Sequence, residues 1–168
     1  MKCSSVLALV VFFSCSLCPA SFSAISSGNV VGLGAGLLAG MSGLSGEMLL
    51  HAPQGQFFTD NSFLRVSLAL TDSGNLTPSS EWRRFMPLSL DVIYYFTDSG
   101  YVGAGLNFPL KVSDGLTGQP GGQYFVGADL KTEYFGRIYS ELGYGSLNIL
   151  NEKSFAGAYF MFGLRYDI

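Results

Sequence analysis

The last eleven residues, Ala158-Tyr159-Phe160-Met161-Phe162-Gly163-Leu164-Arg165-Tyr166-Asp167-Ile168, separate cleanly when taken in twos. Ala158, Phe160, Phe162, Leu164, Tyr166 and Ile168 fall on one side; Tyr159, Met161, Gly163, Arg165 and Asp167 fall on the other. Successive side chains of a β-strand point to opposite faces, so this alternation marks a strand, as a period of 3.6 would mark a helix.

The same division recurs upstream. Tyr124, Val126, Ala128, Leu130, Thr132 and Tyr134 oppose Phe125, Gly127, Asp129, Lys131 and Glu133. Leu88, Leu90, Val92, Tyr94 and Phe96 oppose Ser89, Asp91, Ile93 and Tyr95. Continued along the chain, it predicts eight strands at about 30–40, 46–53, 63–71, 85–96, 101–109, 122–134, 138–146 and 154–168. Nine charges lie in these strands: Glu47, Arg65, Asp91, Asp129, Lys131, Glu133, Glu141, Arg165 and Asp167. All nine share the second face. That face is otherwise rich in Gly, Ser and aromatics, which makes it a poor surface for water. A soluble sandwich would turn its charges outward. A barrel in lipid reverses the arrangement, with hydrocarbon around an apolar outside and polar groups in the lumen.

The connections give a second test. Thr97-Asp98-Ser99-Gly100 and Phe135-Gly136-Arg137 are tight turns, whereas 72–84 and 110–121 are long and 147–153 is intermediate. Alternation of long loops with tight turns is the habit of outer-membrane barrels. The first two hairpins break it, with a short connection at 41–45 and a long one at 54–62. Strands of about 9–11 residues suffice to cross a bilayer when tilted.

Composition agrees. Charged residues are 12% of the 168, half the usual share of about 25%, while hydrophobic residues reach 48%. The apolar content excludes disorder. The net charge of −3 excludes generic nucleic-acid binding, which needs a basic excess. Apolar helices do not account for the hydropathy: the least charged stretch, up to Gly46, carries Gly32, Gly34, Gly36, Gly40 and Gly43.

Residues 1–23 read as a cleavable signal peptide: Met1-Lys2, an apolar run from Val6 to Leu17, then small residues. Cleavage after Ala20 or after Ser23 fits. Residues 24–168 form the single barrel domain. Cys3, Cys15 and Cys18 all lie in the leader, so the mature chain has no disulfide.

In pattern, the mature chain resembles small bacterial outer-membrane β-barrels, typified by outer-membrane protein X and the transmembrane domain of outer-membrane protein A. The sharpest motif is Gly163-Leu164-Arg165-Tyr166-Asp167-Ile168. Such proteins end in a strand carrying a Gly, an aromatic three residues on and a terminal aromatic. The chain departs at Ile168 and at Met161, where a polar residue is usual. The resemblance implies an all-β, eight-stranded antiparallel up-and-down transmembrane β-barrel in the bacterial outer membrane. It also implies a C-terminal assembly signal at Gly163, Tyr166 and Ile168 read by the barrel-assembly machinery, and contact with outer-membrane lipid and lipopolysaccharide.

Glu47, His51, Arg65, Asp91, Asp129, Lys131, Glu133, Glu141, Arg165 and Asp167 are read as a polar network in the lumen. An eight-stranded interior is just filled by side chains, and buried charges must pair. Arg83, Arg84, Lys111 and Lys153 fall on the external loop side, where they can meet lipopolysaccharide phosphates. Gly32-Leu33-Gly34-Ala35-Gly36 lacks the preceding strand of a dinucleotide loop and is read as inward glycine. One His and no mature Cys fall short of a transition-metal site, so no metal or cofactor is expected. The expected role is non-enzymatic, as a monomer supporting the envelope or making surface contacts through its loops. Three alternatives stay open. One is a narrow, cation-leaning channel, because acidic residues outnumber basic ones in the lumen. Another is a lipid A-modifying barrel enzyme using His51. The third is a soluble lipocalin-like carrier, which would carry an early Gly-x-Trp; the only tryptophan here is Trp82.

Overall fold

The structure, a computed structural model, describes residues 29–38, 41–55, 57–72, 84–110, 118–134, 136–149 and 155–168. The expected signal peptide and its cysteines lie outside them, as do Trp82, Arg83, Lys111 and Lys153. Eight long strands follow one another: β1 (Val30–Leu38), β2 (Met41–His51), β3 (Ser62–Asp72), β4 (Arg84–Tyr95), β5 (Gly100–Leu110), β6 (Gly121–Thr132), β7 (Gly136–Ile149) and β8 (Phe155–Asp167). Each pairs antiparallel with the next. β8 then pairs with β1, from Val30 opposite Asp167 to Leu38 opposite Tyr159. The sheet therefore closes into a barrel without a free edge. A two-residue segment, Gly118–Gln119, extends the ladder by pairing with the end of β7. No helix occurs among the described residues.

The registers fix the stagger. Val30, Leu49, Arg65, Asp91, Gly105, Gln123, Gly145 and Gly157 stand side by side around the circumference. Val30 itself pairs with Asp167, ten residues along β8 from Gly157. A closed sheet with such a shear must tilt its strands, and this narrows the interior to a space that side chains fill.

Asn29 and Ile168 meet at one end through Ile168 N–H donating to Asn29 C=O at 2.9 Å. The β2–β3, β4–β5 and β6–β7 connections share that end. The turn at 96–99 is tied by Phe96 and Thr97 N–H donating to Gly100 C=O at 3.1 and 3.3 Å. Gly100 N–H donates back to Thr97 Oγ1 at 2.7 Å. The β6–β7 turn is closed by Gly136, whose φ of +72° suits a residue without a Cβ.

Two expected boundaries need correction. Residues 41–45 are strand, not turn, and β2 ends at His51. The break in loop alternation is nevertheless real. Only 39–40 separate β1 from β2, while 52–61 make a ten-residue connection at the end that otherwise has tight turns. That connection has its own bonds: Ser62 N–H donates to Thr59 C=O at 2.9 Å and Gln54 Nε2 donates to Asp60 Oδ1 at 2.5 Å.

The two faces are chemically opposite. Leu33, Leu44 and Leu70 point outward and are 71%, 67% and 59% exposed. Val66, Leu90, Val126, Leu142, Phe162 and Tyr166 join them around the circumference. The inward residues include the most buried side chains of the molecule, and arginines head that group.

Candidate functional site

Alternation on β2, β3, β4, β6, β7 and β8 aims Glu47, Arg65, Asp91, Asp129, Arg137, Glu141 and Arg165 at the barrel axis, where all are buried. Charge inside protein is costly unless partners replace water. Here they do. Arg165 donates from Nε to Glu47 Oε1 at 2.6 Å and from Nη2 to Glu47 Oε2 at 3.3 Å, a two-pronged contact. Its Nη2 also reaches Glu141 Oε1 at 3.0 Å, and its Nη1 reaches Tyr101 Oη at 3.0 Å and Asp129 Oδ2 at 3.4 Å. Arg65 donates from Nε to Asp91 Oδ2 at 2.8 Å. Its Nη1 donates to Glu141 Oε1 at 2.5 Å and Glu47 Oε2 at 3.2 Å. Glu47 and Glu141 are thus each held between two guanidinium groups.

Tyrosine hydroxyls add to the arginine contacts on these carboxylates. Tyr101 donates to Glu141 Oε1 at 2.8 Å, Tyr159 to Glu141 Oε2 at 2.5 Å, and Tyr95 to Asp129 Oδ2 at 2.6 Å. Gln123 Nε2 donates to Asp91 Oδ1 at 2.7 Å. The guanidinium planes also lie over rings: Arg65 over Phe125 at 4.3 Å, Arg165 over Tyr139 at 4.0 Å and over Tyr101 at 5.0 Å. Small neighbours make this density fit. A Cβ on Gly103 would enter the Phe125 ring, one on Gly127 the Tyr101 ring, and one on Gly34 the Tyr139 hydroxyl.

Three residues expected inside the lumen lie at its mouth. Lys131 and Glu133 are exposed, because β6 ends at Thr132 and Glu133 belongs to the turn. Asp167 keeps 34% of its side chain exposed and faces Arg137 from the rim. Glu47, Arg65, Asp91, Asp129, Glu141 and Arg165 are inside. His51 is half-buried, with its ring 4.3 Å from that of Phe63. Arg137, assigned to a turn from the sequence, is instead a buried member of β7. Its Nη1 is 3.5 Å from Asp129 Oδ1. Its Nε stands 3.3 Å from Asp167 Oδ1 without hydrogen-bond alignment, and its Nη2 has no acceptor among the described residues. Tyr95, Tyr101, Tyr139, Tyr159 and Gln123 were also missed; their place on the charged face was the available signal. Arg84 begins β4 at the opposite rim. Gly163 and Tyr166 lie on β8, and Ile168 follows it.

Above the network, toward the end away from the termini, lies a small open cavity of about 60 Å³. Ser45, Ser67, Ser89, Asn107 and Gln123 line it, and Tyr159 and Met161 lie among its walls. Ser89 Oγ donates to Asn107 Oδ1 at 2.6 Å, and Asn107 Nδ2 donates to Ser146 C=O at 3.3 Å. The charged layer separates this vestibule from the mouth where Lys131 and Asp167 sit. With every interior carboxylate engaged, the arrangement is suited to closing and bracing the barrel.

No family model matches the chain, and no curated protein matches it. Among solved structures, the chain is similar to the N-terminal β-barrel domain of OprF from Pseudomonas aeruginosa. The crystal structure of that domain is 16% identical, with a TM-score of 0.43, and the match covers 84% of this chain and 98% of that one. The closed eight-stranded architecture rests on the strand pairing itself, independently of that likeness.

Proposed function

We propose that the protein is a bacterial outer-membrane β-barrel, monomeric and non-enzymatic, that supports the envelope or makes surface contacts, with its lumen closed by the charged network. One observation carries the membrane reading. Along all eight strands, Asp72 and Arg84 are the only charged residues in outward register, and they face each other at one rim. Between the rims the outward positions are Leu, Val, Ile, Met, Phe, Tyr, Ala, Gly, Ser and Thr. An apolar surface running around the whole circumference far exceeds the patches tolerated by water-soluble monomers, roughly 300–600 Å². In hydrocarbon it costs nothing, whereas a central Arg or Lys there costs ~2–4 kcal/mol. The sequence resemblance to small outer-membrane barrels, with its C-terminal Gly163 and Tyr166, points to the same compartment. The closed lumen is supported by two fully buried arginines on the axis, each held by several acceptors.

The test has two parts. The protein should float with outer membranes, resist extraction without detergent, and migrate differently on a gel before and after boiling. Release by salt or carbonate alone would refute the membrane reading. In planar bilayers the folded protein should give no steady conductance; sustained cation-selective current would establish the channel reading instead.

A further inference from the structure

We propose that Met161 is an oxidation site, taking one oxygen atom from a peroxide to become a sulfoxide that the folded barrel holds. The inference needs only the closed barrel and not the membrane reading. Met161 is half-buried on the inward face of β8, in the wall of the vestibule. Two hydroxyls donate to its sulfur: Tyr139 Oη at 3.2 Å and Ser45 Oγ at 3.4 Å. Neither hydroxyl has another acceptor among the described residues, and both residues are buried. Tyr159 Oη also stands 3.7 Å from the sulfur, but its proton is committed to Glu141.

This pairing is unusual. A thioether is a weak acceptor, and buried hydroxyls ordinarily find a strong one. A sulfoxide oxygen is a strong acceptor. Placed on the sulfur between the two donors, it would shorten both contacts into the ordinary O–H···O range. The polar sulfoxide usually disrupts an apolar core; here it would meet two waiting donors. The same hydroxyls can assist the chemistry. A sulfur lone pair attacks one oxygen of hydrogen peroxide and forms the S–O bond as the O–O bond breaks. The proton on the transferred oxygen goes to the departing hydroxide, giving water. Sulfur loses two electrons and the peroxide gains them. Released from the sulfur as its lone pair attacks, the two hydroxyls turn to the peroxide oxygens and stabilise the charge developing there.

The mature chain, folded in detergent micelles, would be treated with limiting hydrogen peroxide, and sulfoxide at Met161, Met48 and Met86 followed by peptide mass spectrometry. The expected result is Met161 sulfoxide formed in protein that keeps its folded gel mobility. Tyr139→Phe and Ser45→Ala should each slow oxidation at Met161 by about fivefold, the worth of one ordinary hydrogen bond, and leave Met48 and Met86 unchanged. Met161 staying reduced while Met48 and Met86 react, or oxidising only with loss of the folded band, would overturn the proposal. So would an unchanged Met161 rate in both variants. If Tyr139→Phe fails to fold, Ser45→Ala decides alone.

Discussion

Replacing Arg165 with Met keeps the unbranched stem of the side chain and removes its charged end. Arg165 is fully buried and touches Glu47, Glu141, Asp129 and Tyr101. Without it, Arg65 and Arg137 face four interior carboxylates, and Glu47 keeps a single cationic contact, Arg65 Nη1 at 3.2 Å. Breaking a buried ion pair from one side costs ~3–5 kcal/mol, because the orphaned charge stays in place. With a urea slope of ~1–3 kcal/mol/M, the unfolding midpoint should fall by about 2 M. The assay is a urea titration of the folded protein in detergent, read by loss of the fast-migrating unboiled band. Adding Glu47→Gln to Arg165→Met should recover part of the loss, since one orphaned charge is then gone. Lys131→Met, at the exposed rim, should change the midpoint by the equivalent of under ~0.5 kcal/mol. An Arg165→Met midpoint no lower than that of Lys131→Met would refute the reasoning that the network braces the barrel.

Gly105→Val should destabilise by ~1–3 kcal/mol or prevent folding, because even its Cβ collides with the Leu90 carbonyl and Asp91; Gly46→Ala, whose Cβ would meet only Leu33 at 3.8 Å, should fold normally, and both are read from the unboiled gel band. Val126→Arg, on the outward face, should cost ~2–4 kcal/mol in the same urea assay performed in lipid. Tyr95→Phe removes a donor to the Asp129 carboxylate and should cost ~1.5–3 kcal/mol, the range for hydrogen bonds to charged groups.

Much of this was legible because period two is a coarse signal that survives errors of one or two residues at strand ends. It assigned Arg65, Glu141 and Arg165 to the same side as Asp91 and Glu47, which is the side the barrel encloses. Alternation carries no depth, however. Lys131 and Asp167 have inward parity yet lie where the strands run out, so water reaches them. Glu133 lies one residue past the strand. Arg137 was lost for the converse reason: Phe135-Gly136-Arg137 reads as a turn, but the left-handed Gly136 already pairs with Thr132 as the first residue of β7, so Arg137 belongs to the ladder. The tyrosines were counted as bulk, because which hydroxyl meets which carboxylate depends on the stagger between strands distant in sequence. Tyr101 and Glu141 meet across the axis, and no local pattern records that.

The central claim is that the outward face of the closed sheet meets hydrocarbon. Because Cys3, Cys15 and Cys18 all precede residue 24, single cysteines can be introduced one at a time along β8 of a chain spanning 24–168 and spin-labelled in lipid vesicles. Labels at 156, 158, 160, 162, 164 and 166 should collide readily with oxygen dissolved in the bilayer and be shielded from a water-soluble nickel complex, while labels at the inward positions 157, 159 and 161 should lack that access to bilayer oxygen. The opposite parity, or nickel access along the even positions, would contradict the account.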